Sequence, residues 1–453
     1  MSIIHTISKG MAWNSLAMAI GKVVGFANLL IILAHLTVYE YGLTELSLAV
    51  VPLFGLFLLP GLSSIVTIDL GVEKARKNYS AMRRLFKEYV VLIFALGVVA
   101  WAILFFGSSL IAHWSGNDLI DRFLKVVSFL FLTSPFRTIT TMLSTVMVRY
   151  ADQSFFSVIE DVSKGVFLLL FFFVFEQGAY GLLWAIVLAQ VVTVLAFAPR
   201  TISAYRTFSS APLSEHRPWW SILRGHRKWG IASSYIGMSG TSIRLFFLKF
   251  LLGTEAVGLY SFAAGFFSQL VGLLPIGPVV GPLIPRYVSQ PEQLVRLLRS
   301  SIRLQLAVAV LLMGAGYALG PLVVHMWFAK YEAALPLLFI FLPALLPQGV
   351  VAIFTPVFFA LKEQRSQLYS SVFKFGVDVV SLPILIYAFG FLGAGIHGIV
   401  VPVLSLSERY FRLKRLLPSF SFRFSDLVRI DPLEREFFTA LISRIWWFRS
   451  PRI

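Results

Sequence analysis

The chain has 453 residues, 58% of them hydrophobic and 13% charged, with a formal net charge of +17 and no cysteine. Soluble domains carry about a quarter charged residues, so this composition, with a mean hydropathy of +0.81, excludes an ordinary soluble enzyme. The missing cysteines exclude disulfides, thiol nucleophiles, iron–sulfur clusters and cysteine-based zinc sites, and the positive charge reads as the basic loops of a membrane protein, with no nucleic-acid partner.

The first apolar run, Trp13 to Leu36, is longer than a signal-peptide core and no small-residue cleavage site closes it. A span needs roughly 20 apolar residues. Twelve segments qualify: 11–36, 43–68, 89–113, 123–148, 158–176, 179–199, 230–252, 257–284, 304–327, 333–359, 371–389 and 393–411. Short turns at Gln177-Gly178 and Gly390 to Leu392 make spans 5/6 and 11/12 tight antiparallel neighbours.

Alternate loops are basic. Lys74, Arg76, Lys77, Arg83, Arg84 and Lys87 follow span 2, Arg149 follows span 4, and Arg200, Arg206, Arg217, Arg224, Arg227 and Lys228 follow span 6. Arg286, Arg296, Arg299 and Arg303 follow span 8, and Lys362 and Arg365 follow span 10; the opposite loops hold only Arg122 and Lys330. The positive-inside rule then places both termini and the basic loops in the cytoplasm of a bacterial inner membrane. A Ser-, Pro-, Trp- and Arg-rich linker at 201–229 is expected to carry an interfacial helix at Trp219-Trp220. The tail, 412–453, holds Arg412, Lys414, Arg415 and Arg423, then an apolar stripe from Leu433 to Trp447. It reads as a basic amphipathic helix on the cytoplasmic surface.

The chain repeats. Leu36 to Leu43 aligns with Leu252 to Leu259 at a shift of 216, and Ala179-Tyr180-Gly181-Leu182 with Gly393-Ala394-Gly395-Ile396 at a shift of 214. Both pair span 1 with 7 and span 6 with 12. Six spans per repeat make the halves, 1–200 and 230–411, parallel, related by an axis along the membrane normal. That is a recurrent transporter plan in which one half rocks against the other.

Charges at membrane depth are functional hypotheses. Lys22, Arg137 and Arg244 fall near mid-span. Gly237, Gly240, Thr241 and Arg244 share one helical stripe, as do Thr133, Arg137, Thr140 and Ser144. Asn14, Gly21, Gly25 and Asn28 form a third stripe beside Lys22, and Asn28 aligns with Arg244. No acidic residue lies on these stripes. With Lys164 and Lys249 they are expected to line a cationic cleft selecting a phosphate or carboxylate cargo. Glu160 and Lys164 are four apart, as are Lys374 and Asp378, and the repeat superposes the pairs with signs exchanged. They read either as local salt bridges or as a coupling site in which Asp378, or Glu160 with Asp161, takes a proton or Na⁺. No phosphate loop, zinc-protease, D-x-D or nucleophile-elbow motif is present, and the histidines show no metal spacing. A transporter is expected, with no enzyme activity, resident cofactor or metal. The short outer loops argue against a glycosyltransferase or polymerase subunit, and buried charges would serve no purpose in a passive scaffold.

Several short motifs then carry a resemblance: Lys9-Gly10 before span 1, Leu33-Ala34 through Tyr41-Gly42-Leu43, Gly61-Leu62-Ser63-Ser64, and Leu251-Leu252-Gly253 through Val257-Gly258-Leu259-Tyr260-Ser261. In this order they resemble the polysaccharide (O-antigen/exopolysaccharide, Wzx-type) flippases of the multidrug/oligosaccharidyl-lipid/polysaccharide exporter superfamily, over about 10–410. The resemblance implies an all-α integral membrane protein of MATE-like fold, two parallel six-helix bundles around a V-shaped central cavity. It also implies flipping of an undecaprenyl-diphosphate-linked oligosaccharide, with proton or Na⁺ antiport described in the superfamily. The implied partners are that anionic lipid-linked oligosaccharide, membrane lipids, and a polysaccharide polymerase with chain-length proteins around a monomer. A multidrug antiporter of the same superfamily is the alternative, disfavoured by a cationic interior.

Overall fold

The computed structural model describes residues 3–55, 61–212, 227–274, 280, 284–288, 290–361 and 363–422. The expected interfacial helix at Trp219-Trp220 and the apolar stripe of the tail lie outside these residues. Among the described residues the chain is helical with no strand. The first half comprises α1 (Ile3–His35), α2 (Val38–Phe54), α3 (Leu62–Ala75), α4 (Tyr79–Ser115), α5 (Leu119–Ser128), α6 (Leu130–Val146), α7 (Tyr150–Leu169) and α8 (Gly178–Ser209). The second comprises α9 (Arg227–Leu252), α10 (Thr254–Val271), α11 (Pro291–Trp327), α12 (Leu335–Phe341), α13 (Leu345–Ala360), α14 (Gln364–Phe389) and α15 (Phe391–Leu416).

Eight stretches of the described residues are long and apolar enough to cross a membrane, and Ala19–His35 is a shorter apolar helix. The other expected spans have visible reasons for falling short. Span 5 carries Glu160, Asp161 and Lys164. Span 2 is split, a correction to the single segment 43–68: α2 ends two residues after Pro52, and α3 starts from Gly61 at φ +86°. That angle lies in the left-handed region that glycine adopts without a Cβ clash. Span 8 is interrupted at the equivalent place, where α10 stops at Val271 ahead of Pro275 and Pro278.

Several helices exceed the apolar window that announced them. α4 and α11 each have 37 residues; at 1.5 Å per residue each is about 55 Å long, against a hydrocarbon core of about 30 Å. Each therefore has length to spare, and the basic residues lie toward their N-terminal ends, Arg83, Arg84 and Lys87 in α4 and Arg296, Arg299 and Arg303 in α11. α15 likewise runs to Leu416, so Arg412, Lys414 and Arg415 belong to the last helix, not to a separate tail.

One hydrophobic cluster joins both halves at the end opposite the basic loops. It contains Leu36, Leu43 and Leu46 from the first half and Val257, Tyr260, Tyr331 and Phe341 from the second. Towards the basic loops it gives way to two separate clusters. Leu62, Met82, Tyr89, Leu143 and Phe208 fill the first half, and Ile302, Ile353, Phe354, Leu413 and Phe420 fill the second. A shared core at one end and divided cores at the other describe a V that opens toward the basic loops.

The apex of the V lies on the repeat axis. A Cβ on Gly42 would run into the Thr254 carbonyl oxygen, and one on Gly258 would run into the Val38 carbonyl oxygen. Gly42 aligns with Gly258 and Val38 with Thr254 at the shift of 216, so the two contacts are one contact seen from both halves. Around it, Lys330 Nζ donates to the carbonyls of Ala34 (3.0 Å) and Leu36 (2.6 Å), and the Tyr41 and Tyr331 rings meet edge-on. The turn into α2 is fixed by a capping box: Thr37 accepts from the Glu40 amide while Glu40 accepts from the Thr37 amide. Its counterpart before α10 uses Gly253 at φ +92° instead.

The cysteine-free chain makes the opening directly testable. Ser268 is exposed in the cleft and Leu46 is buried in the core shared by the halves. Ser268→Cys should react with a membrane-impermeant maleimide applied on the basic-loop side, and Leu46→Cys should not. The reverse pattern would contradict the V geometry.

Candidate functional site

The membrane-depth charges do not stand alone. Their partners come from neighbouring helices, which no single-helix stripe could display. In the second half, α9, α14 and α15 converge. Arg244 Nη2 of α9 donates to Asp378 Oδ1 of α14 at 2.9 Å, and Arg244 Nη1 donates to the Tyr260 hydroxyl of α10 at 3.0 Å. His397 Nε2 of α15 lies 3.2 Å from the same Asp378 oxygen. Gly240 makes this possible, because a Cβ there would press on Asp378 Oδ2. The Asp378 side chain is 5% exposed and His397 is fully buried, whereas Arg244 keeps 18% exposure. Lys374 and Asp378 interact electrostatically as expected, yet the hydrogen bonds of Asp378 go to another helix. A cavity of about 210 Å³ opens beside this group, lined by Arg244, Tyr260, Phe267, Ser268, Phe341 and Gln348.

The first half holds a second group. Arg137 Nε of α6 donates to Glu160 Oε2 of α7 at 3.1 Å. Lys164 feels Glu45 of α2 first, then Asp161 and Glu160. Glu45 hydrogen-bonds Tyr41. Three acids thus face three bases, Lys22, Arg137 and Lys164, and this half of the cleft is balanced. The expected cationic excess shrinks to the second half, where Arg244 and Lys374, with the buried Arg409 near Lys374, face Asp378.

Two expected cleft residues have other surroundings. Asn28 is buried between α1 and α7, where Nδ2 donates to the Asp161 carbonyl at 2.8 Å and Gly165 leaves room for its side chain. It sits at the α1–α7 contact as Arg244 sits at the α9–α14 contact, so the repeat holds in three dimensions although the residue types differ. Lys249 lies at the closed end and donates to the Ser115 carbonyl at 2.7 Å, tying the halves together there. Lys22 also crosses between halves, donating to Gln269 Oε1 of α10 at 2.9 Å above Gly272. Arg137 is 48% exposed, and water in an open cleft would screen its pair. Arg137→Gln should lower stability by less than about 1 kcal/mol, measurable as a shift in thermal unfolding; a larger loss would mean the pair is buried in the folded protein.

Sequence reasoning passed over Glu45, Tyr260, Gln269 and His397. Glu45 and His397 were legible as ionisable residues inside apolar runs, the signal that singled out Lys22 and Arg244. Tyr260 and Gln269 carry no such signal.

A protein-family model described as "Polysaccharide biosynthesis protein" matches residues 7–289. The chain belongs to that family. Its fold is that of the MOP-superfamily transporters. It is similar to an inward-facing multidrug resistance MATE-family transporter of that superfamily, with a TM-score of 0.70 and 14% identity over 91% of this chain and 100% of the other. It is similar to the lipid II flippase MurJ in an inward closed conformation (0.66, 11% identity, 92% and 89% covered). A MOP-superfamily transporter from Pyrococcus furiosus, described by the reversed polarity of its binding pocket, gives 0.64 at 15% identity over 90% and 96%. At these identities the likeness carries the fold alone. No curated protein matches the chain.

Proposed function

We propose that this protein flips an undecaprenyl-diphosphate-linked oligosaccharide repeat unit, a precursor of an O-antigen or exopolysaccharide, from the cytoplasmic to the periplasmic leaflet of a bacterial inner membrane. The basic loops and both termini face the cytoplasm, so the V is the cytoplasm-facing state of an alternating-access cycle. The protein is a transporter and not an enzyme. The observation that carries the reading is Arg244: a guanidinium at the apex of a cleft, beside a cavity, in a member of a polysaccharide biosynthesis family. Guanidinium matches phosphate oxygens in a planar, bidentate fashion. A cavity of about 210 Å³ is smaller than the roughly 300–1,000 Å³ of a pocket enclosing a whole small ligand. It suits the diphosphate, with the sugars in the open V and the isoprenoid tail in lipid. The lipid-linked cargo of MurJ, on the same fold, supports the same assignment.

The balanced first half favours a second reading, a multidrug antiporter coupled to H⁺ or Na⁺, because Glu45, Glu160 and Asp161 offer carboxylates to a cation. Depletion separates the two. A flippase leaves lipid-linked repeat units accumulating in the cytoplasmic leaflet. Unchanged lipid intermediates with new drug sensitivity would refute it. Coupling at Asp378 is tested by Asp378→Asn: ion-gradient dependence that persists in this variant places coupling elsewhere.

A further inference from the structure

The anionic cargo poses a problem that the geometry answers. Arg244, its recognition group, is already neutralised by Asp378. We propose that Asp378 is a resident counter-anion that the cargo's diphosphate displaces from Arg244, the released carboxylate being retained by His397. The proposal rests on the flippase reading and names the regulation of its binding site.

Three observations support the exchange. First, Asp378 Oδ1 is shared: Arg244 Nη2 lies 2.9 Å from it and His397 Nε2 lies 3.2 Å from it. When Arg244 turns away, the carboxylate keeps the imidazole and the Lys374 ammonium as partners. Stripping a buried carboxylate of its only partner would cost several kcal/mol; His397 Nε2, 3.2 Å away and without a hydrogen-bond partner in this state, can take the carboxylate up and remove much of that cost. Second, Arg244 is held on its other side by Tyr260, whose ring also lines the cavity. Moving from Asp378 toward the cavity is a pivot about the Tyr260 hydroxyl. Third, Arg244 Nε has no hydrogen-bond partner although it is buried. A buried N–H without an acceptor is costly, and an incoming phosphate oxygen supplies one.

The exchange also explains release. A cleft of bare cations would hold a diphosphate tightly in both orientations and turn over slowly. A competing carboxylate weakens the bound state and retakes Arg244 once the cargo can leave. Asp378 is therefore a positioning residue that does not touch cargo, and its removal should tighten binding while slowing transport, lowering KM and kcat together.

The test is calorimetric titration of the purified protein in detergent with geranylgeranyl diphosphate, with geranylgeraniol as the uncharged control. Asp378→Asn should bind the diphosphate about tenfold tighter than wild type. Arg244→Gln should bind about tenfold weaker, and the double variant should follow Arg244→Gln. His397→Phe supplies an independent check that leaves the Arg244–Asp378 pair intact. Without the waiting imidazole Asp378 stays on Arg244, and binding should weaken several-fold. If Asp378→Asn binds equally or more weakly while Arg244→Gln is impaired, or His397→Phe binds like wild type, Asp378 merely orients Arg244 and the exchange is wrong. If wild type and Arg244→Gln bind the diphosphate alike, the assignment of Arg244 to the phosphate fails instead.

Discussion

Replacing Gly42 or Gly258 with valine should abolish transport while leaving a folded protein in the membrane. Each glycine faces a backbone carbonyl of the opposite half so closely that even a methyl group cannot be seated. A carbonyl cannot rotate aside as a side chain can, so α2 and α10 must separate. Overpacking of this kind typically costs about 1–3 kcal/mol. In the proposed alternating-access cycle that cost falls on one conformation only, the one closed at the apex, because the two halves would part there when the cleft faces the other way. At about 1.4 kcal/mol per factor of ten, the cytoplasm-facing state loses up to a hundredfold in relative population. Each half is unchanged internally, so expression should hold. Because the two contacts are related by the repeat, both variants should behave alike. A membrane-impermeant thiol reagent applied from the side opposite the basic loops should now label Leu46→Cys. Normal export by Gly42→Val, or a difference between the two glycines, would contradict a pivot on the axis.

Arg244→Ala should cost transport about two orders of magnitude through lost phosphate recognition, an effect distinct from any loss of stability. Removing one partner of a buried ion pair can cost up to about 3–5 kcal/mol, a cost that His397 and Lys374 beside Asp378 reduce but need not cancel. A loss of export by Arg244→Ala alone could therefore be misfolding. Arg244→Gln combined with Asp378→Asn removes both charges and leaves neutral, hydrogen-bonding side chains in their places. Stability should return to near wild type, because neither charge is stranded, while export stays lost, because the guanidinium is gone. The comparison is a double-mutant cycle read on two observables, thermal unfolding and export. Recovery of export with recovery of stability would assign Arg244 a structural role only.

The sequence carried the fold further than the site, and the residues show why. The span pattern and its alternating basic loops record solvent, which acts on every residue independently, so one chain suffices to read them. The repeat was legible at Leu36–Leu43 and Leu252–Leu259, and the aligned glycines within it, Gly42 and Gly258, touch each other's halves in space. The breaks in spans 2 and 8 were announced by Pro52, Pro60, Pro275 and Pro278, but hydropathy averaged over them. The ion pairs were out of reach. Periodicity reveals neighbours three or four residues apart on one helix, whereas Arg244 and Asp378 are 134 residues apart, and Arg137 and Glu160 sit on different helices. Reading each helix alone therefore counted cations without their partners. Lys249 lies one turn from the end of α9, where depth from sequence could not separate a cleft residue from the tie to Ser115.

The most direct measurement is flipping in proteoliposomes holding the purified protein and a fluorescently tagged undecaprenyl-diphosphate oligosaccharide. A membrane-impermeant quencher destroys only outer-leaflet fluorescence, about half in protein-free vesicles. Wild-type protein should let the quencher remove nearly all of it, because inner-leaflet lipid is flipped outward. Arg244→Ala vesicles should remain near half, and an uncharged polyprenol carrying the same tag should not be moved. Quenching by wild type that stops at half, or flipping of the uncharged lipid as fast as the diphosphate, would contradict a flippase that recognises its cargo through phosphate at Arg244.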